Sequence, residues 1–326
     1  MGSFKPKLIQ FGVAKEVTAG TPVSPVFDKV VIADSVTMTT NFDINEEVEK
    51  YADGTAGNSP TTYGTKSVTL NFSAYWFPNS TPASAPEMEI YLSAAGFTGA
   101  AITTVGYKLE DKADALQNTL TFAVVHKSTS TAAKQFIISG AACSGCVINA
   151  DIGKAVKVDY TYEGVFNLPT DIAAPAVTAN TTQQPLTFKN VPVTIGGVSK
   201  CVKSFSLDLG LSANPYVCSN ATDGISHFET SAEKAPVISL DVIEGTVASD
   251  DVFKRAYDED VEEIEMVFNT DDLTITLPQC QQRAPEEANA DGYHRYNLAY
   301  AILKNGTANA DVDDESSIYF LQGATS

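Results

Sequence analysis

Strict alternation of apolar and polar residues recurs along the chain and is its main structural signal. Residues 35–44 read SVTMTTNFDI and residues 66–76 read KSVTLNFSAYW, so every second side chain is apolar. A period of two is typical of a strand with one buried and one solvated face. The same kind of segment returns at residues 119–126, 135–139 and 154–166. The pattern therefore predicts a mainly β fold.

Two segments break the alternation and predict helices. Residues 83–97, ASAPEMEIYLSAAGF, place Ser84 three positions before Glu87, as in a capping box, and Gly96 where a helix would end. Residues 249–257, SDDVFKRAY, place Ser249 as a helix cap, with acids in the first turn.

The order of these signals occurs twice. Each half reads as a strand, a long polar connection, a second strand, a helix and three further strands. In addition, NADIGKAVKVDYTYEGVF in the first half resembles NADGYHRYNLAYAI in the second. This repetition predicts two tandem units, at residues 1–170 and 187–326, joined by a linker at 171–186; the second unit carries a C-terminal extension.

Both long connections, residues 45–66 and 212–234, exceed the two to five residues or so of a tight hairpin loop. We therefore expect them to reach an adjacent ring or subunit. The residues predicted to make these contacts are Asn45, Glu46, Tyr51, Asp53, Tyr63, Asn214, Tyr216, Asp223 and Phe228.

Charge limits the possible functions. The 326 residues carry a net charge of −19, which argues against nucleic-acid binding through a basic surface. The first twenty residues contain no apolar run of export-signal length, and five cysteines are an odd number. Both features favour folding in a reducing cytoplasm.

Catalytic and metal-binding patterns are weak. Cys143 and Cys146 have redox or zinc spacing but lack a second pair, so we interpret them as two half-buried side chains of a Gly-containing turn. The acidic runs at 258–263 and 311–315 lack the order of a calcium loop. The sequence predicts no catalytic residue, cofactor site or metal site.

Four segments resemble the major tail tube proteins of long-tailed bacteriophages. They are VAKEVTAGTPVSPVF near the start, APEMEIYLSAAGF, LTITLP, and the late YHRYNLAYAIL that follows Asp-Gly. Each segment is modestly specific, and the order of the four carries the resemblance over most of the chain.

The resemblance implies a β-sandwich or half-barrel with one flanking helix per unit. It further implies rings that stack into the tail tube of the virion, a conduit through which DNA leaves the capsid. The protein would be made in the host cytoplasm. Its partners would be further copies of itself, the tape-measure and tail terminator proteins, and genomic DNA passing without specific binding. Many members form hexameric rings from single units, so two units per chain imply a trimer with pseudo-sixfold symmetry.

In such a ring the polar faces of the strands point into the channel, because the apolar faces are buried against the helix and outer strands. An acidic channel repels DNA weakly everywhere and traps it nowhere. The residues predicted to face the channel are Asp43, Asn71, Asp159, Glu163, Asp208 and Asp241.

Two alternatives remain open at this point. One is a surface or adhesion protein with tandem β-domains. The other is an enzyme that uses a carboxylate pair or the thiols of Cys143 and Cys146.

Overall fold

The chain folds almost entirely into strands. The computed structural model describes residues 4–29, 31–45, 48–50, 56–58, 62–77, 88–100, 106–109, 118–128, 132–177, 184–221, 224–231, 233–243, 251–268, 273–288, 294–304 and 318–321. A content of 62% strand and 6% helix confirms the mainly β prediction. The helices in this part of the chain are too short to cross a membrane.

The described residues of the N-terminal half form eleven strands and one helix: β1 (Phe4–Lys15), β2 (Ile32–Asn45), β3 (Val48–Lys50), β4 (Ala56–Asn58), β5 (Thr62–Tyr75), α1 (Glu89–Ala94), β6 (Phe97–Ala100), β7 (Gly106–Leu109), β8 (Leu120–Ser128), β9 (Ala132–Asp151), β10 (Lys157–Phe166) and β11 (Thr170–Ala173). The C-terminal half contains β12 (Val193–Ile195), β13 (Val198–Lys200), β14 (Val202–Asp208), β15 (Ala213–Val217), β16 (Ile225–Thr230), β17 (Val237–Ile243), α2 (Val252–Tyr257), β18 (Val261–Phe268), β19 (Leu273–Gln282), β20 (Glu286–Glu287), β21 (Arg295–Ile302) and β22 (Tyr319–Leu321).

Strand pairing follows the same order in the two halves. The N-terminal half pairs as β2–β5–β10–β9–β8–β1, and the C-terminal half pairs as β14–β17–β21–β19–β18–β12. A separate hairpin follows the first strand of each series, β3–β4 in one half and β15–β16 in the other. The division into two tandem units stays a prediction, with which this repeated order agrees.

Each half curls around an aromatic core, because the apolar sides of its strands face one another. In the N-terminal half Phe72 of β5 lies 4.8 Å from Phe11 of β1 and 5.8 Å from Phe122 of β8, measured between ring centroids. In the C-terminal half Phe205 of β14 lies 6.2 Å from Phe268 of β18. These rings join strands from near the opposite ends of each pairing series, as in a half-barrel.

Both helices are shorter than predicted, and one has a different cap. Helix α1 begins after Met88 without a side-chain cap, and Ser84 and Glu87 lie outside the described residues. Gly96 follows the helix with a φ of +87°, which a glycine adopts without strain. In α2 the cap is Asp251, whose carboxylate accepts a hydrogen bond from the Lys254 N–H, whereas the predicted cap at position 249 lies outside the described residues.

Parts of the predicted linker are structured. Strand β11 pairs with the first residues of β9. Leu186 is buried and exchanges backbone hydrogen bonds with Trp76 and Val156. The chain therefore packs against the N-terminal half on both sides of residues 178–183, which are not described.

In the part of the chain that the structure describes, strand pairing joins the two halves at two places. Residues 147–151 of β9 pair with β14. Strand β22 pairs with β19 on one side and with β7 on the other. Phe320 of β22 stacks on Phe97, with a centroid distance of 4.8 Å, and lies 5.1 Å from Trp76.

Candidate functional site

A single polar surface runs across both halves of the molecule. Strand-to-strand register places Lys157, Asn149, Ser206 and Ser239 in one row across β10, β9, β14 and β17. Side chains in direct register on neighbouring strands point to the same side of a sheet. We call this surface, which spans β2, β5, β10, β9, β14, β17 and β21, the polar face.

All six residues predicted to face a channel lie on this polar face. Each of them lies an even number of positions along its strand from a residue that is in register with the polar face. On β2, β5, β10, β14 and β17 these residues are Asp43, Asn71, Asp159, Glu163, Asp208 and Asp241. The intervening residues Val158, Tyr160 and Tyr162 are buried. The period of two therefore correctly separated the two sides of the sheet.

Several acids of the polar face are paired with cations. Lys157 Nζ lies 2.8 Å from Asp159 Oδ1, and Lys154 Nζ lies 2.6 Å from Asp151 Oδ2. Arg295 Nη1 donates to Asp241 Oδ2 over 2.7 Å. The simple picture of a uniformly acidic surface is thus incomplete.

Two of the other predicted acids accept hydrogen bonds from neutral donors. Asp43 accepts a hydrogen bond from the Thr65 hydroxyl, and the Asp208 carboxylate accepts one from the Gly210 N–H at 2.9 Å. Partial burial raises the pKa of Glu163 above its ordinary value. The ion pairs with lysine and arginine therefore do not account for every acid of the polar face.

Asp159 is the most firmly held acid of the polar face. Its carboxylate accepts hydrogen bonds from Ser73 Oγ and, at 2.9 Å, from Asn149 Nδ2, in addition to its contact with Lys157. Burial by itself would raise the pKa of Asp159, but these hydrogen bonds and the lysine charge outweigh it and hold the pKa below its ordinary value of 3.8. The group is therefore a carboxylate at neutral pH.

The polar face is concave where the halves meet. A concavity of about 710 Å³ lies over the β9–β14 junction, and its lining includes Asp151, Lys154, Lys157 and Asp241. Both members of the Asp151–Lys154 pair therefore line this hollow, together with one member of each of the other two pairs, Lys157 and Asp241.

The hairpin β15–β16 covers the apolar end of the other half. Phe228 and Ile225 of β16 pack against Ala142 of β9 and Val165 of β10. The hydroxyl of Thr230 donates to the carbonyl oxygens of Ala94, at the end of α1, and of Cys143. The second long connection thus reaches a neighbouring unit, but one within the same chain.

The residues predicted for contacts by these connections have mixed positions. Asn214 and Tyr216 are exposed on β15, whereas Phe228 is 3% exposed and committed to the core beneath the hairpin. The prediction that Phe228 contacts another ring or subunit therefore needs correction. The backbones of Asn45 and Tyr63 belong to β2 and β5, and their side chains are not described. The remaining predicted positions lie outside the described residues: Glu46, Tyr51, Asp53 and Asp223.

A buried carboxylate shapes the surface on which this hairpin rests. Glu16 is 6% exposed, and its two oxygens accept hydrogen bonds from the N–H groups of Gly20 and Gly140, each at 2.8 Å. The hydroxyls of Thr119 and Thr121 donate to it as well, each at 2.7 Å. We call these five residues the Glu16 cradle.

Both glycines of the Glu16 cradle touch the hairpin directly. A Cβ atom on Gly140, whose φ is +56°, would lie 2.8 Å from the Cα of His227. A Cβ atom on Gly20 would lie 2.5 Å from the carbonyl oxygen of Ser226. Only glycine permits this approach of the two backbones. The alternation pattern gave no indication of the cradle. The sequence does not distinguish Glu16 from the other aspartates and glutamates, which number 40 with it.

The interpretation of Cys143 and Cys146 as turn residues is wrong. Both lie inside β9, where the pairing with β10 shifts by one residue opposite Thr161 and Tyr162. Burial raises the pKa of the Cys143 thiol to about 12 and raises that of Cys146 as well. Both thiols are therefore protonated and shielded from solvent.

The chain matches no family model and no curated protein. Within the described residues, no group of three or more histidine, cysteine, aspartate or glutamate side chains could hold a metal ion.

Proposed function

We propose that the chain is a structural protein whose copies form rings, and that stacked rings make a phage tail tube with the polar face lining a DNA channel. The observation that carries the proposal is the continuation of one sheet, polar on one side, from the N-terminal half into the C-terminal half through the β9–β14 pairing. One chain thereby already contains the side-by-side contact that a ring would repeat between copies.

The ends of this sheet suggest how the next copy joins. Among the described strands β2 pairs only with β5, and β20 pairs only with β21. By position in the two pairing series, β2 corresponds to β14, and β21 corresponds to β10. Strand β20 pairs with β21 in the place where residues 143–149 of β9 pair with β10. The edge of β20 in one copy therefore meets the edge of β2 in the next copy.

This contact is head-to-tail, and its repetition closes into a ring when the rotation from one copy to the next divides a full turn evenly. Closure removes both exposed edges, which would otherwise pair indiscriminately. The two halves take alternating positions, and three chains give pseudo-sixfold symmetry. The hairpin β3–β4 lies over the preceding copy, as β15–β16 lies over the preceding half within the chain.

Native mass spectrometry and negative-stain electron microscopy of the purified protein test this proposal. We expect rings of three chains that stack into tubes. A chain that stays monomeric at every concentration contradicts the function, whereas rings of six chains contradict only the subunit number.

Deletion of residues 52–62 provides a second test, because it removes β4 and most of the connection around it. We expect this variant to fold, as judged by circular dichroism, but not to polymerise. The unmodified chain is the control, and normal tubes from the deletion variant would exclude a role of this connection in assembly.

A further inference from the structure

The polar face raises a physical problem for a DNA channel, because it contains lysines. A lysine that contacts phosphate releases condensed counterions and gains binding energy, so exposed lysines along a channel would hold passing DNA. Lys154 and Lys157 have side chains that are 72% and 37% exposed, and both line the concavity at the β9–β14 junction. Arg295, at 8% exposure, is too enclosed to reach a ligand of that size.

We propose that Asp151 and Asp159 act as built-in counterions that keep Lys154 and Lys157 from binding DNA phosphate. This inference deepens the proposed function and rests on it for its biological meaning. The Nζ atoms lie 2.6 and 2.8 Å from the partner carboxylates, within direct ion-pair distance.

The aspartates shield the lysines because of where their carboxylates are held, and not because the ion pairs stabilise the protein strongly. Exposed ion pairs contribute little to stability, about 0–1 kcal/mol. However, Asp159 is also anchored by Ser73 and Asn149, so its charge stays beside Lys157 when another anion approaches. A phosphate must compete with a fixed carboxylate instead of displacing a mobile counterion, and most of the gain from counterion release disappears.

The chain offers matched controls for this idea. Lys29 pairs with Asp28, and Lys254 pairs with Asp258 on α2, both away from the polar face. Asp151→Asn combined with Asp159→Asn releases two lysines on the polar face. Asp28→Asn combined with Asp258→Asn releases two lysines elsewhere with the same change in net charge.

The experiment measures binding of a fluorescently labelled DNA duplex to the dispersed full-length chain by anisotropy, across a salt series that begins at low ionic strength. We expect the polar-face double variant to bind more tightly than both the wild type and the control double variant. Its plot of log affinity against log salt should be steeper by about 1.8, because each lysine–phosphate contact contributes about 0.9. Adding Lys154→Ala and Lys157→Ala should abolish the gain.

Equal binding by the two double variants, or no gain in either, would overturn the inference. A gain that survives the two lysine substitutions would overturn it too. Asp151→Asn alone, at the exposed end of β9, repeats the test if the double variant folds poorly, and should steepen the slope by about 0.9. The assay needs no rings, so failure to assemble counts against the proposed function, and failure of the DNA comparison counts against the counterion role.

Discussion

Replacement of Glu16 by glutamine tests how the two halves are held together. The substitution keeps the shape of the side chain but exchanges one acceptor oxygen for an amide that donates. Each carboxylate oxygen of Glu16 accepts from one threonine hydroxyl and one glycine N–H of the Glu16 cradle. In either orientation of the amide, its NH₂ group therefore faces one threonine hydroxyl and one glycine N–H. The threonine hydroxyl can rotate and accept a hydrogen bond from the NH₂ group, but the glycine N–H can only donate.

The expected cost follows from this geometry. One buried N–H loses its partner, at about 1–3 kcal/mol, and the remaining hydrogen bonds lose the assistance of the charge. Relief from burying a carboxylate offsets part of the loss. We therefore expect Glu16→Gln to lower the free energy of unfolding by about 2 kcal/mol, which is a shift of roughly 0.7–1 M in the urea midpoint for a slope of 2–3 kcal/mol/M.

Urea unfolding followed by circular dichroism measures the global effect, and hydrogen exchange of residues 225–230 measures the hairpin. Protection of β16 should fall more than that of β10, because the cradle presents the glycines that contact Ser226 and His227. Asp258→Asn, which removes an exposed charge on α2, is the control and should change stability by less than about 0.5 kcal/mol. A Glu16→Gln variant as stable as this control, with unchanged protection of β16, would refute the role assigned to the cradle.

Two further predictions concern the joint between the halves and the thiols. Phe320→Ala should destabilise the protein by about 3–5 kcal/mol in urea unfolding, because it empties a site between Trp76 and Phe97. The control Val198→Ala, at a side chain that is 48% exposed, should change the free energy of unfolding little. Equal effects of the two substitutions would contradict the packing described for β22. With a thiol reagent at mildly alkaline pH, the exposed Cys201 should react in the folded protein. Cys143 and Cys280 should react only on unfolding, because burial raises the pKa of each thiol to about 12. Fast labelling of Cys143 in the folded chain would count against its burial.

The sequence predicted local features well because they depend on neighbouring residues. The period of two placed Asp159 and Asp241 on the solvated side of their strands, and Gly96 correctly marked the end of α1. The cap of α2 was misplaced because residues 249–251 offer three adjacent capping residues, and Asp251 is the one whose carboxylate reaches the Lys254 N–H. Gly145 suggested a turn, but it lies in β9 beside an irregularity in the pairing.

Features that join distant residues had no local signal. The pair of Asp241 and Arg295 spans 54 positions, and the hydrogen bond from Gly140 to Glu16 spans 124. The pairing of β9 with β14 depends on edges that exist only after each half has curled. By contrast, the pair of Lys157 and Asp159, two residues apart on one strand, could have been found from the period of two.

Strand β9 leaves the chain little freedom to change its length. Its 20 residues form hydrogen bonds with β8, β10, β11 and β14, and from Cys146 onward its side chains alternate between the core and the polar face. One codon inserted after Cys146 would exchange the sides of everything beyond it, turning Asn149 and Asp151 toward the core and Ile148 toward water. Substitutions in β9 can accumulate one at a time, but an insertion or deletion there would have to be compensated in every paired strand at once. Over evolutionary time, length variation should therefore collect in the connections and spare this strand.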